Sequence, residues 1–226
     1  MNQIDNAVAE AENAAKNASE NQVPATQSQG GALAPAGGAV DMSLTSFLKA
    51  GGISPDKWIQ VKDTGMKLDK NEKATIEEFV ADIDFSNVKL FQGLRIALPG
   101  GKYEYIKTYD GRTESKTGQN WAAAVADANN RAVAPNNTYR GADILMTNPE
   151  AITQGKTTIP ADTKLGYTTS ITGFGPFQSF LATLIESGEV SIGTNDTLSG
   201  QVRVKVVHET KSNTDYEWGI LNFEKA

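Results

Sequence analysis

Apolar and polar residues alternate along several stretches of this chain, and each such stretch predicts a strand. The clearest one runs over 88–98, and the Pro-Gly-Gly turn at 99–101 returns the chain into a second strand at 102–109. These two strands predict a hairpin. Alternation divides the first strand into an apolar face of Val88, Leu90, Leu94, Ile96 and Leu98 and an opposite face of Lys89, Phe91, Arg95 and Ala97.

Shorter alternating stretches predict strands at 143–146 and 168–172, and a closing pair at 202–209 and 216–223. In the first strand of that pair, His208 shares a face with three valines. A lone histidine in such a position is more often a hydrogen-bonded core or edge residue than a catalyst. We therefore assign it no chemistry.

Helical periodicity predicts helices between these strands. The capping-box spacing of Thr75 and Glu78 indicates a helix over 75–83, where four apolar residues fall on one face. The other helices are predicted over 43–50, over 121–130 and from Pro176 to the residue before Gly188.

Hairpins with helices inserted between them are typical of an α+β domain with a mainly antiparallel sheet. The number and length of the predicted strands also fit an OB-like Greek-key barrel elaborated by helices. We therefore expect a single globular domain over 42–226, preceded by a separate acidic segment over 1–41.

The segment over 1–41 differs in composition from the rest of the chain. It holds five acidic residues against Lys16 alone, and its second half, 21–40, is uncharged and contains the glycines and prolines of a flexible linker. This composition fits a disordered tail. It also fits an arm that becomes ordered against a neighbouring subunit, and both interpretations stay open.

Composition excludes several kinds of chemistry. The chain has 226 residues with no cysteine and one histidine, which excludes a thiolate nucleophile, an iron–sulfur cluster and a histidine-based metal site within one chain. The formal charge is −6, of which residues 1–41 carry −4, so the predicted domain is nearly neutral. It lacks the basic footprint of non-specific duplex binding.

Two segments of the chain bear on where the protein is located in the cell. Residues 1–20 contain no apolar run of the kind that a signal peptide needs. The 21 uncharged residues of 165–185 include three glycines and a proline, which disfavour a transmembrane helix. We expect a cytoplasmic protein without a membrane partner.

No enzyme template fits the sequence. Gly101-Lys102 is followed by Tyr103, where a phosphate-binding loop needs serine or threonine. The glycine pair Gly173 and Gly175 has Gln178 three residues further on, at the position where a dinucleotide site needs its third glycine. We therefore expect a protein that is not an enzyme and that has no cofactor and no metal site.

One group of residues does suggest a function. Alternation over 102–109 places three tyrosines and a lysine on one face, and Arg95 of the partner strand shares it. Single-stranded nucleic acid is bound by flat aromatic rings that stack bases, with cations beside them for the phosphates. The competing interpretation is a tyrosine stripe packed in the core. The candidate nucleic-acid-binding residues are Tyr103, Tyr105, Lys107, Tyr109, Arg95, Arg112, Lys205 and Lys211.

With this aromatic and basic hairpin and a closing strand over 218–224, the chain resembles phage- or plasmid-borne single-stranded-DNA-binding proteins of the OB fold. The resemblance covers 86–226 and rests on layout, without a diagnostic motif. It implies a non-enzymatic DNA-binding protein of phage or mobile-element origin in the host cytoplasm. Many such proteins end in an acidic tail that recruits partners, whereas this chain ends Glu224-Lys225-Ala226.

A second class of function is also consistent with the sequence. A virion structural, decoration or assembly subunit would use the segment over 1–41 for contacts between subunits, and it would be found in the virion. Self-association through this segment is therefore an expectation alongside nucleic-acid binding.

Overall fold

The computed structural model describes residues 52–194 and 197–226. The predicted acidic segment over 1–41, the domain boundary at residue 42 and the predicted helix over 43–50 lie outside the described residues. Neither helix of the described chain is long and apolar enough to cross a membrane.

The described residues form fourteen strands, two α-helices and one 3-10 turn at Phe85–Asn87. The first seven strands are β1 (Lys57–Trp58), β2 (Gln60–Lys62), β3 (Gly65–Lys67), β4 (Glu78–Asp84), β5 (Lys89–Leu98), β6 (Lys102–Thr108) and, after helix α1 (Trp121–Arg131), β7 (Asn137–Thr147). There follow β8 (Ile152–Gln154), β9 (Thr157–Ile159), β10 (Lys164–Thr168), helix α2 (Phe174–Glu186), β11 (Ser191–Ile192), β12 (Leu198–Ser199), β13 (Gln201–Ser212) and β14 (Glu217–Lys225).

Strand β7 organises the main sheet, because one of its edges pairs with two strands in succession. Its first part, from Asn137 to Asp143, pairs with β5, and Met146 and Thr147 pair with β4. Its other edge pairs with β10. The sheet therefore divides into a hairpin wing (β6, β5 and the first part of β7) and a main wing (β1, β10, the second part of β7, β4, β13 and β14).

The predicted α+β class with a mainly antiparallel sheet is confirmed, since only β1 and β10 pair in parallel within the described sheet. The described strands do not close into a barrel, because β1 and β14 end the strand order without pairing to each other. The OB-like detail of the prediction is therefore not confirmed.

The predicted helix over 75–83 is wrong, because this stretch contains strand β4. Phe79 and Ile83 point into the core, whereas Val80 is 40% exposed on the opposite face. The four apolar residues have helical spacing, but Phe79, Ala81 and Ile83 also alternate as one face of a strand. Pairing with β13 along the whole of β4 decides the outcome in favour of a strand.

The predicted hairpin is confirmed, with β5 and β6 paired from Gln92–Thr108 to Leu98–Lys102. The division of β5 into two faces follows the prediction, with Phe91 on the face of Arg95, but burial departs from it at the start of the strand, where Phe91 is buried and Leu90 is 43% exposed. Leu90 lies before the first residue of β5 that pairs with β6, beside a groove of about 610 Å³ that runs along α2.

The predicted helices over 121–130 and from Pro176 are confirmed with small shifts of their bounds, since α2 begins at Phe174. The Asn120 side chain caps α1 by accepting hydrogen bonds from the backbone N–H groups of Ala122 and Ala123. Two predicted strands differ more from the strands of the structure. Strand β7 begins six residues before Asp143, and β10 ends at Thr168, where a strand was expected to begin.

Both helices cover the same face of the sheet. Helix α1 packs on Leu94 and Ile96 of the hairpin wing. Helix α2 packs its Phe177 ring against Phe223 of the main wing, with ring centroids 5.4 Å apart. His208 lies on this core face and bonds the backbone oxygen of Lys62, as expected of a structural histidine. The opposite face of the hairpin wing carries no helix of the described chain.

We predict that Phe177→Ala lowers the free energy of unfolding by about 3–5 kcal/mol, because it leaves a cavity where α2 meets the sheet. Urea unfolding followed by circular dichroism measures the loss. The control is the exposed neighbour Gln178→Ala, which should change stability by no more than about 0.5 kcal/mol. Equal losses in the two variants would contradict the described packing.

Candidate nucleic-acid interface

The helix-free face of the hairpin wing carries the predicted tyrosines. Tyr103 and Tyr105 are 51% and 55% exposed. In the register, Tyr105 lies opposite Arg95, which itself lies opposite Asn137 of β7. We call this surface the tyrosine face; it comprises Tyr103, Tyr105 and Lys107 of β6, Phe91 and Arg95 of β5 and Tyr139 of β7.

Arg95 is in direct contact with the first of these rings. Its guanidinium carbon lies 3.8 Å from the centroid of the Tyr103 ring, within the range of a cation–π interaction. The Arg95 Nε atom is buried and has no hydrogen-bond partner among the described residues. The hairpin therefore presents an exposed phenol with a cation stacked against it.

The rings behind the exposed tyrosines pack edge to face. Tyr105 meets Tyr139 with centroids 6.3 Å apart, and Tyr139 meets Phe91 at 5.9 Å. Two glycines make room for this packing. A Cβ atom at Gly93 would lie 2.4 Å from the Tyr139 ring, and one at Gly141 would lie 2.3 Å from the Phe91 ring. Both rings thus lie close over the backbone of the sheet.

Asp143 is a fully buried carboxylate at the inner end of this surface. Its Oδ2 atom accepts hydrogen bonds of 2.5 Å from Lys107 Nζ and 2.5 Å from Tyr109 Oη, and its Oδ1 atom accepts one of 2.7 Å from Thr168 Oγ1. A buried charge is tolerated when it is paired and hydrogen-bonded in this way. Asp143 therefore ties the end of β6 to β7 and β10.

The surroundings of Asp143 shift the pKa of Tyr109. Burial, followed by the hydrogen bond to Asp143, raises the pKa of the Tyr109 phenol well above its usual range. The ring is half-buried, unlike Tyr103 and Tyr105, and the Lys107 ammonium lies 5.3 Å from its centroid. Tyr109 and Lys107 thus hold the hairpin in place, while Tyr103 and Tyr105 are open to solvent.

The structure places the remaining predicted cations in different surroundings. Arg112 is exposed in the turn after β6, and its side chain forms no ion pair within the described part of the chain. Lys205 lies on β13, where it pairs with Glu78 of β4 at 2.7 Å. Lys211, also on β13, binds Glu209. These two lysines belong to the main wing and do not lie on the tyrosine face.

A cavity of about 710 Å³ adjoins the tyrosine face. Tyr105, Tyr139 and Arg95 line it from the hairpin wing, and Trp218 of β14 lines it together with the segment 168–172. The indole Nε1 atom of Trp218 is buried and has no hydrogen-bond partner among the residues described. The cavity thus brings Trp218 of the main wing beside the aromatic surface of the hairpin wing.

Sequence reasoning missed Tyr139 and Asp143 as parts of this site. The stretch over 137–141, Asn-Thr-Tyr-Arg-Gly, is too polar to predict a buried strand, so the beginning of β7 was not expected. One signal was present: Gly93 and Gly141 each lie within a strand, where glycine often marks a close approach by a neighbouring group.

Comparison with known proteins finds no protein-family model, no curated protein and no solved structure that matches this chain. The resemblance to phage- or plasmid-borne single-stranded-DNA-binding proteins therefore stays a prediction.

We predict that Asp143→Asn lowers the free energy of unfolding by about 3 kcal/mol, because it removes the charge that Lys107 and Tyr109 bind in a buried place. Chemical denaturation measures the loss. The matched control is Asp82→Asn, which removes the partner of Arg203 in an ion pair exposed to solvent. That variant should lose far less, since exposed pairs contribute little. Similar losses would show that Asp143 does not hold the hairpin.

Proposed function

We propose that this protein binds single-stranded nucleic acid on the tyrosine face, without catalysis and without a cofactor. The observation that carries the proposal is the exposure of Tyr103 and Tyr105 at 51% and 55%, with the Arg95 guanidinium stacked 3.8 Å from the Tyr103 centroid. Exposed rings flanked by cations are the elements that stack bases and hold phosphates along a single strand.

The arrangement favours binding because the two rings are already held in place. Arg95 contacts the Tyr103 ring, and Tyr139 supports the Tyr105 ring from its edge. A tyrosine has few rotatable bonds, so ordering it on binding costs little conformational entropy. Stacking on a ring of this kind contributes about 1–3 kcal/mol for each base.

Phosphates would be bound by cations near the exposed rings. Arg95 lies between the tyrosines, and Lys102, Arg112 and Lys116 are exposed near the ends of β6. Each phosphate contact adds a slope of about −0.7 to log affinity against log salt for single strands. Two or three contacts would thus give a slope of about −1.4 to −2.1, a modest salt dependence suited to a nearly neutral domain.

Lys205 and Lys211 enter the proposal only as peripheral contacts. Their ammonium groups bind Glu78 and Glu209, and a phosphate would first have to displace these carboxylates. We therefore expect them to contribute less than Arg95 to affinity.

An OB-like relationship, a phage or mobile-element origin and a cytoplasmic location belong to the same hypothesis. They are supported by the sequence pattern and the resemblance drawn from it. Stacking on the tyrosine face does not depend on any of them, since an open sheet can present the same rings.

The virion-subunit alternative depends on the segment over 1–41, which lies outside the described residues. Size-exclusion chromatography with light scattering separates the two classes of function. Large symmetric assemblies that disappear when residues 1–41 are deleted would favour the subunit, whereas assembly-independent binding of oligonucleotides favours the proposal.

We predict that Y103A/Y105A weakens binding of a fluorescent oligo-dT by about 30-fold or more at low salt, because two stacked bases lose their ring contacts. Fluorescence anisotropy measures the affinity at two salt concentrations. The matched control is Y103F/Y105F, which keeps both rings and should bind within about threefold of the unmodified protein.

Circular dichroism and thermal unfolding of both double variants separate lost contacts from lost folding. The proposal fails if the unmodified protein does not bind oligo-dT at low salt. It also fails if the folded Y103A/Y105A variant binds as tightly as Y103F/Y105F.

A further inference from the structure

The cavity beside the tyrosine face has aromatic side chains from both wings in its walls. Tyr105 and Tyr139 line it from the hairpin wing, and Trp218 of β14 lines it from the main wing. Trp218 is half-buried and its Nε1 atom is buried, so the accessible surface of its ring is carbon. Flat surfaces of this kind stack bases whatever the base, because every base has a π-face.

The charges that line the cavity are mainly positive. The lining contains three cations and one carboxylate: Arg95, Lys107, Lys116 and Glu114. Glu114 is 3% exposed, and its carboxylate accepts hydrogen bonds from backbone N–H groups of its own turn. Arg95 and Lys116 form no ion pair within the described part of the chain. The cavity therefore favours an anionic ligand.

The segment 168–172, between β10 and α2, adds a wall that is rich in hydroxyl groups. Four of its five residues are threonine or serine. Thr168 and Thr169 are engaged within the sheet, whereas Ser170 and Thr172 are exposed. Hydroxyl side chains contact the phosphates and sugars of nucleic acids. An aromatic side and a hydroxyl side thus match the two parts of a nucleotide, its base and its sugar-phosphate.

The cavity continues the tyrosine face at one end. Tyr105 belongs to both surfaces, whereas Tyr103 does not line the cavity. A strand that stacks on both tyrosines therefore has the cavity at its Tyr105 end. The cavity volume of about 710 Å³ lies within the usual range of ligand pockets, roughly 300–1,000 Å³.

We propose that the bound strand continues from Tyr105 through this cavity and that Trp218 is a further contact for one of its bases. The binding site then spans both wings of the sheet. A strand that ends at Tyr105 does not reach Trp218, so the contact is made only by longer strands. This inference rests on the proposed function and adds to it the length of strand that the protein selects.

The experiment measures the affinity for oligo-dT as a function of length, from about 3 nucleotides, just below the usual site size, to about 16. The variant Trp218→Leu removes the ring. It should weaken binding of the longest oligo-dT about fivefold or more, the loss expected for one stacked base. Binding of the shortest oligo-dT should change less than about twofold, because this strand does not reach the cavity.

Two variants serve as controls. Trp218→Phe keeps an aromatic ring and should bind every length within about threefold of the unmodified protein. Trp58→Leu removes a tryptophan that is 48% exposed on β1 and does not line the cavity. This variant should keep the full dependence on length. Circular dichroism and thermal unfolding show whether Trp218→Leu is folded.

A second measurement does not depend on removing Trp218. The variant W58F/W121F keeps Trp218 as its one tryptophan, because the chain contains three. Saturating amounts of the longest oligo-dT should change the fluorescence of Trp218, and saturating amounts of the shortest should leave it unchanged.

Three results would overturn the inference. The folded Trp218→Leu variant could bind the longest oligo-dT as tightly as Trp218→Phe does, it could lose equal affinity at every length, or the longest oligo-dT could leave Trp218 fluorescence unchanged. In each case, a large difference between Y103A/Y105A and Y103F/Y105F in binding the shortest oligo-dT would leave stacking on the tyrosine face intact. Loss of that difference at every length would instead remove the proposed function itself.

Discussion

Strand β7 is longer than β5 and longer than β4, the two strands that pair along one of its edges. This difference in length determines how the sheet divides. Its first part pairs with β5 and its last two residues pair with β4. Between these two strands the chain makes a 3-10 turn, where Asp84 accepts a hydrogen bond from the backbone N–H group of Ser86. The sheet divides at this turn into a hairpin wing and a main wing.

The two wings differ in how their helix-free faces are used. On the main wing, cross-strand pairs such as Arg203 with Asp82 and Lys205 with Glu78 neutralise the exposed charges. On the hairpin wing, Arg95 lies against an aromatic ring instead of a carboxylate. Exposed rings and a cation that contacts a ring instead of a carboxylate therefore occur together on the hairpin wing.

Asp143 links this hairpin to the rest of the molecule. It lies where β7 pairs with both β5 and β10, and its carboxylate binds Lys107 and Tyr109 of the hairpin and Thr168 of β10. Because the charge is buried, losing any of these partners is costly. The cluster holds the inner end of the hairpin and leaves Tyr103 and Tyr105, at its outer end, open to solvent.

Local patterns predicted the elements that local forces decide. The hairpin follows from its Pro-Gly-Gly turn, α1 begins at its Asn120 cap, and α2 follows an apolar period. The stretch over 75–83 could not be assigned in this way, because pairing with β13 overrides a capping-box spacing. Tyr139 and Asp143 could not be assigned to the site either, since they meet the hairpin only through long-range pairing.

By itself, the sequence determined which side chains share a face of the hairpin, because alternation is a property of an extended backbone. It therefore placed Tyr103, Tyr105 and Arg95 together. Only the tertiary structure decided which face is open to solvent, because both helices pack on the side of Leu94 and Ile96. In β6 both faces mix charged residues with aromatic or aliphatic ones, so packing against other elements is what makes one of them the core.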